Sequence, residues 1–184
     1  MSAPRPTSLL VLGLGNLLCG DDGLGVVVAD RLSRRYSAPS GVRILDGGTL
    51  GLSLLPYLED AEAAILVDAV AADGPPGTLV RIEGDEVGPA VAARLSPHQV
   101  GVADLLDAAR WRLRCPERLL LLGAVPETVA LGVGLSPAVA AAVPELTRRV
   151  LAAAAELGHI LPRRVEDEGL AARSPALLAG ACRL

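Results

Sequence analysis

The chain has 184 residues, 51% of them hydrophobic, which suits one domain with a sizeable core. All 17 basic residues are Arg, so a Schiff-base lysine and a phosphate-loop lysine are excluded. A net charge of −4 without a basic cluster argues against nucleic acid, and the three scattered cysteines form neither a CxxC pair nor a disulfide framework, which fits a reduced, cytoplasmic setting.

Met1 to Thr7 reads as a loose leader. Leu9 to Leu12 is an apolar run with the character of a buried parallel strand, and Gly13-Leu14-Gly15-Asn16 is the turn at its carboxyl end. The glycines and the charged loop that follow set this run apart from a signal peptide, and no apolar segment is long enough to cross a membrane. Asp21 and Asp22 come next, then a helix over about Gly23–Tyr36, for which Asp21 is the expected cap. Val42 to Leu45 is a strand ending at Asp46-Gly47-Gly48-Thr49, and Leu50–Glu59 reads as a short helix interrupted at Pro56. Ala63 to Val67 is a third strand, ending at Asp68.

The Gly74-Pro75-Pro76-Gly77 connection is too short for a helical crossover, so the strand Thr78–Ile82 is expected to run antiparallel. Glu83 to Leu95 is loop with a short helix. Ser96-Pro97-His98-Gln99 carries the signature of a capping box with proline in the first turn, opening a helix to about Arg114. Arg118 to Gly123 is the last strand, and Ser136-Pro137 opens an Ala-rich helix to about Leu157 that Pro144 should kink or split. The fold expected is a three-layer α/β sandwich. It has a mostly parallel five-stranded sheet with one antiparallel strand and helices on both faces. Residues 1–161 form its single domain and 162–184 a flexible C-terminal tail.

Three strands thus finish at, or lead into, an aspartate: Asp22, Asp46 and Asp68. In open α/β sheets ligands bind at the carboxyl ends of strands. With strand order 2-1-3, Asp22 and Asp68 would face each other across neighbouring strands about 4.8 Å apart. Two close carboxylates repel unless a cation neutralises them. His98, in a first helical turn where the dipole disfavours imidazolium, is the candidate third ligand for a borderline ion such as nickel or zinc. As alternatives, His98 is a local structural residue of its capping box, Cys19 is either a soft ligand or a small buried loop residue, and His159 is a surface residue. A dinucleotide-binding reading of Gly13-x-Gly15 with Asp46 is weaker: the third glycine is missing, and the acids oppose a pyrophosphate.

Five segments, GLGNLLCGDDGLG, DGGTLGLSLL, ILVDAV, SPHQVGVADLL and GAVPETVALGVGLSPAV, resemble in order the motifs of the hydrogenase maturation endopeptidases. The resemblance covers about Leu9 to Gly158. It implies that Asp22, Asp68 and His98 bind nickel, and that Asp46, Gly47, Gly48 and Thr49 border the substrate cleft. The implied substrate is the precursor of a nickel-iron hydrogenase large subunit, from which a short C-terminal peptide is removed after nickel insertion. The nickel would arrive in the substrate. Water activation stays open between a metal-polarised route and a carboxylate base, with Asp22 or Asp46 as candidate. Alternatives are a nickel-sensing chaperone that does not cut and a stand-alone zinc hydrolase. A monomer is expected.

Overall fold

The structure, a computed structural model, describes residues 7–92 and 100–164. Five strands form one sheet: β1 (Thr7–Leu14), β2 (Val42–Gly48), β3 (Ala61–Ala69), β4 (Leu79–Glu83) and β5 (Arg118–Ala124). Their spatial order is β2-β1-β3-β5-β4. The first four in that order are parallel, and β4 pairs antiparallel with β5. The helices are α1 (Leu24–Arg35), α2 (Leu55–Glu59), α3 (Val87–Ala92), α4 (Val100–Trp111) and α5 (Pro137–Glu156).

The three layers follow from side-chain alternation on strands apolar on both faces. Leu9 and Val11 of β1 pack with Leu24, Val28 and Leu32 of α1 and with Val139, Val143, Leu146 and Val150 of α5. Leu10 and Leu12 point the other way, into a second core with Leu58 of α2, Val87 and Val91 of α3 and Leu105 and Leu106 of α4. Each such Leu or Val contributes about 1.5–3 kcal/mol on burial. Aliphatic side chains fill both cores, since the chain has no Phe.

Several elements depart from expectation for local reasons. Gly13 and Leu14 belong to β1, and the turn falls at Gly15, whose φ is 118°. Gly13 is glycine because of packing: a Cβ there would lie 2.3 Å from the Gly25 carbonyl oxygen and 2.6 Å from Ala29 Cβ. Pro56 does not interrupt a helix; it lies in the first turn of α2, after a 3-10 turn over Gly51–Leu54. Helix α4 stops at Trp111, short of Arg114, and Leu113 takes a left-handed φ of 56°.

Pro144 neither splits nor ends α5, which runs unbroken through it. Pro144 and Ala140, whose carbonyl loses its intrahelical partner, are both exposed, so water can serve that carbonyl. The buried stripe from Val139 to Val150 holds the helix to the sheet.

The chain past α5 stays attached through Arg164. Ser37 N–H donates to the Pro162 carbonyl at 2.9 Å, and Arg164 N–H to that of Arg35 at 2.8 Å. The remaining tail and the capping box Ser96, Pro97 and Gln99 lie outside the described residues. Among those described, no helix is long and apolar enough to cross a membrane.

Candidate functional site

The loop after β1 turns sharply because Gly15 must be glycine: a Cβ there would sit 1.7 Å from the Asp22 carbonyl oxygen. The chain then makes a 3-10 turn over Gly20–Gly23 and enters α1. Asp22 is fully buried in that turn, and its Oδ2 accepts the Asn16 N–H at 2.7 Å. The carboxylate is thus anchored beside the first turn of α1, whose dipole favours negative charge.

Asp68 is buried near the end of β3, level with Gly123 of β5. Ala64 and Leu66 of β3, and Val70 just past its end, line the face covered by α2, α3 and α4, and alternation puts Asp68 on that face. Close backbone contact fixes its relation to Asp22. A Cβ on Gly25 would lie 2.0 Å from the Val67 carbonyl oxygen, so the start of α1 presses on the end of β3. A Cβ on Gly123 would lie 2.1 Å from the Asp68 carbonyl oxygen. Glycines therefore let α1, β3 and β5 converge where the acids are.

Asp46 and Thr49 are exposed at the end of β2. Asp46 Oδ1 accepts the Gly48 N–H at 3.0 Å, and Gly15 N–H donates to the Gly48 carbonyl at 3.0 Å, which joins this turn to the β1 loop. Gly47 is buried, and its missing side chain makes room for Leu12 and Leu54. Asp46 and Asp68 thus stand at the ends of β2 and β3, and Asp22 in the turn after β1, the strand between them.

Asp21 does not cap the following helix, which has no side-chain cap. It is fully buried and reaches across the sheet end to the loop between β5 and α5. Its Oδ2 accepts from Glu127 N–H at 2.8 Å and Thr128 N–H at 3.2 Å, and its Oδ1 from Ser136 N–H at 2.6 Å. Ser136 is itself the cap of α5, its Oγ accepting the Val139 N–H at 3.4 Å. The Asp21 charge therefore sits at the positive end of the α5 dipole. Backbone bonds reinforce the clamp: Asp21 N–H to the Thr128 carbonyl at 3.0 Å, Gly20 N–H to that of Gly132 at 2.8 Å, and Gly132 N–H to that of Leu18 at 2.8 Å. Cys19 is half-buried within this join, in a bridge with Gly132. Around it stand exposed apolar side chains, Leu17 and Leu18 on the first loop and Leu131 and Val133 on the second.

His98 lies outside the described residues. Helix α4, which follows it, is oriented by two ion pairs at its far end. Arg112 pairs with Glu59, and Arg114 with Asp60 at 3.9 Å, both beside the start of β3. The beginning of α4 is therefore directed toward the carboxyl end of the sheet, where the acids are. Among the described residues, no group of three or more His, Cys, Asp or Glu side chains is placed to hold a metal ion. His159 is half-buried after α5, its N–H donating to the Ala154 carbonyl at 2.8 Å.

Residues 26–153 match the family described as HycI, hydrogenase maturation protease. The chain is 39% identical over 157 residues to the hydrogenase 2 maturation protease of Escherichia coli K12, covering 84% of this chain and 96% of that one. It is 46% identical over 143 residues to the hydrogenase expression/formation protein HupD of Rhodobacter capsulatus, covering 76% of this chain and 68% of that one. Its fold superposes on the hydrogenase maturating endopeptidase HybD from E. coli with a TM-score of 0.81 at 38% identity, covering 86% of this chain and 98% of that one. For the [NiFe] hydrogenase maturation protease HybD of Thermococcus kodakarensis the TM-score is 0.64 at 27% identity, with 78% and 97% covered.

Proposed function

Because the chain belongs to the hydrogenase maturation protease family, we propose that it removes a short C-terminal peptide from the nickel-loaded precursor of a nickel-iron hydrogenase large subunit. The observation that carries this reading is the pair of buried acids, Asp22 in the 3-10 turn between β1 and α1 and Asp68 near the end of the neighbouring parallel strand β3. Buried carboxylates brought close together favour a cationic third party over each other. Oxygen donors from two acids and nitrogen from one imidazole suit a borderline divalent ion with open positions left over. Asp22, Asp68 and His98 would take such positions on the precursor's nickel. The direction of α4, whose start points toward the acid end of the sheet, supports including His98.

In this reading nickel is part of the substrate, and the protein reads it rather than stores it. Holding the ion sets the adjoining peptide across the sheet end, which is a positioning effect. Asp46 is exposed on the neighbouring strand, with one oxygen tethered to Gly48 N–H, and is the candidate base for the attacking water. Asp46 to Thr49 would border the cleft. The protein acts as a monomer in the cytoplasm.

Mass spectrometry of the cognate precursor, with and without nickel, tests this. Loss of a defined C-terminal peptide is expected only from the loaded form. Asp22→Asn, Asp68→Asn and His98→Ala should abolish both release and nickel-dependent binding. Asp46→Asn should lower release about 10²-fold or more while binding persists. Nickel-dependent binding by the wild type without any cleavage would replace the protease reading with a non-cutting chaperone.

A further inference from the structure

Of the ten large apolar side chains exposed among the described residues, six stand at the carboxyl end of the sheet: Leu17, Leu18, Leu50, Leu52, Leu131 and Val133. Such a concentration marks a contact surface rather than ordinary scatter. Four of them form one ridge. Leu17 and Leu18 are 48% and 58% exposed on the loop that leads into Asp21 and Asp22, and Leu131 and Val133 are 88% and 87% exposed on the loop that Asp21 clamps. The backbone beneath is fixed, with Gly132 bonded to both Leu18 and Gly20 at 2.8 Å. These side chains are held out to solvent from two loops whose backbones are bonded to each other.

We infer that Leu17, Leu18, Leu131 and Val133 are a specificity surface that grips aliphatic side chains of the precursor's extended C-terminal segment beside the scissile bond. The inference rests on the protease reading above and names what that site selects. Charge favours this occupant. Residues 15–25 and 125–137 contain no Arg or His, and of their three acids Asp21 and Asp22 are buried, which leaves Glu127 as the exposed charge. An acidic peptide or an anionic lipid surface would find no cation on either loop, whereas an uncharged aliphatic segment loses apolar area to the ridge. The ridge is also continuous with the acids through the chain itself, Leu17 and Leu18 lying three to five residues before Asp21 and Asp22. A protease that read only the metal would need no such surface.

The test uses the full chain and its cognate nickel-loaded precursor. Leu17→Ser/Leu18→Ser and Leu131→Ser/Val133→Ser should each raise KM at least tenfold and leave kcat within twofold, because the ridge binds ground state and transition state alike. Their melting temperatures should match the wild type, since the side chains removed are exposed. A precursor with the aliphatic residues flanking the cut changed to Ser should lose the same factor on the wild type and little on the variants. Unchanged KM in both variants overturns the inference while leaving the protease reading intact. A wild-type dimer in sedimentation that the variants dissolve, with KM unchanged, assigns the ridge to a second copy instead and also overturns it. If the wild type binds the precursor without cutting, the protease reading fails and the same comparison is made on Kd. If it does not bind at all, both fall.

Discussion

At the scale of single residues, Asp21 and Asp22 are neighbours with different partners. Asp22 turns toward its own loop and the acid pair; Asp21 turns away and accepts three N–H groups from the far side of the site. Asp21→Asn puts an amide NH2 where only acceptors fit, leaving at least one buried N–H unmet. We expect a loss of about 1–3 kcal/mol in urea unfolding. That Asp68 stands at a strand end is legible in the sequence, because an apolar run closing on an acid is a local pattern, and that Asp22 lies in the loop after a strand is legible from the glycines around it. The role of Asp21 is not legible, because its partners lie 106, 107 and 115 residues away. A window around Asp21 shows only an acid ahead of a helix, and capping is the natural local reading. The other half of the clamp is the segment from Pro126 to Ser136, and nothing in that segment says what its N–H groups face.

At the scale of elements, strand and helix positions follow from apolar periodicity, and the departures come from tertiary contact. Gly13 reads as a turn residue by composition, yet it pairs within the sheet, and it is glycine because α1 presses on it. Pro144 reads as a breaker, yet α5 continues because the helix is held along its buried stripe and the affected carbonyl faces water. Pro144→Ala should therefore stabilise the protein by about 1–3 kcal/mol, the range set by the helix-interior cost of proline, in thermal or chemical unfolding. The neighbouring Glu145 has its carboxyl drawn down from 4.5 to about 2, chiefly by the hydrogen bond from Arg148. A carboxyl whose folded value lies below its unfolded one stabilises the fold above the unfolded value and loses that contribution as pH falls through the folded one. The melting temperatures of wild type and Glu145→Gln should thus differ above pH 4.5 and converge toward pH 2. The difference should be small, because the pair is exposed.

At the scale of the whole molecule, alternation of strands and helices makes the three-layer fold legible, and the short link before β4 betrays its antiparallel direction. What the sequence does not tell is that β4 skips β3 and pairs with β5, a strand formed later in the chain. Strand direction is constrained by the length of a connection, whereas the choice of neighbour is settled by which faces the later helices cover. The same long reach ties the site to global stability. In hydrogen exchange, the Ser136 amide, bonded to buried Asp21 at 2.6 Å, should exchange with the slowest core amides in the wild type. In Asp21→Asn it should exchange faster through local opening while β1 and β3 stay protected. The Asp21 clamp also carries a temporal meaning. During synthesis, both acids and the strands beneath them emerge from the ribosome well before the segment that must close over them. The clamp therefore cannot close until Ser136 has cleared the exit tunnel and docked. The placing of the acid loop is in this way completed by a segment made 115 residues later.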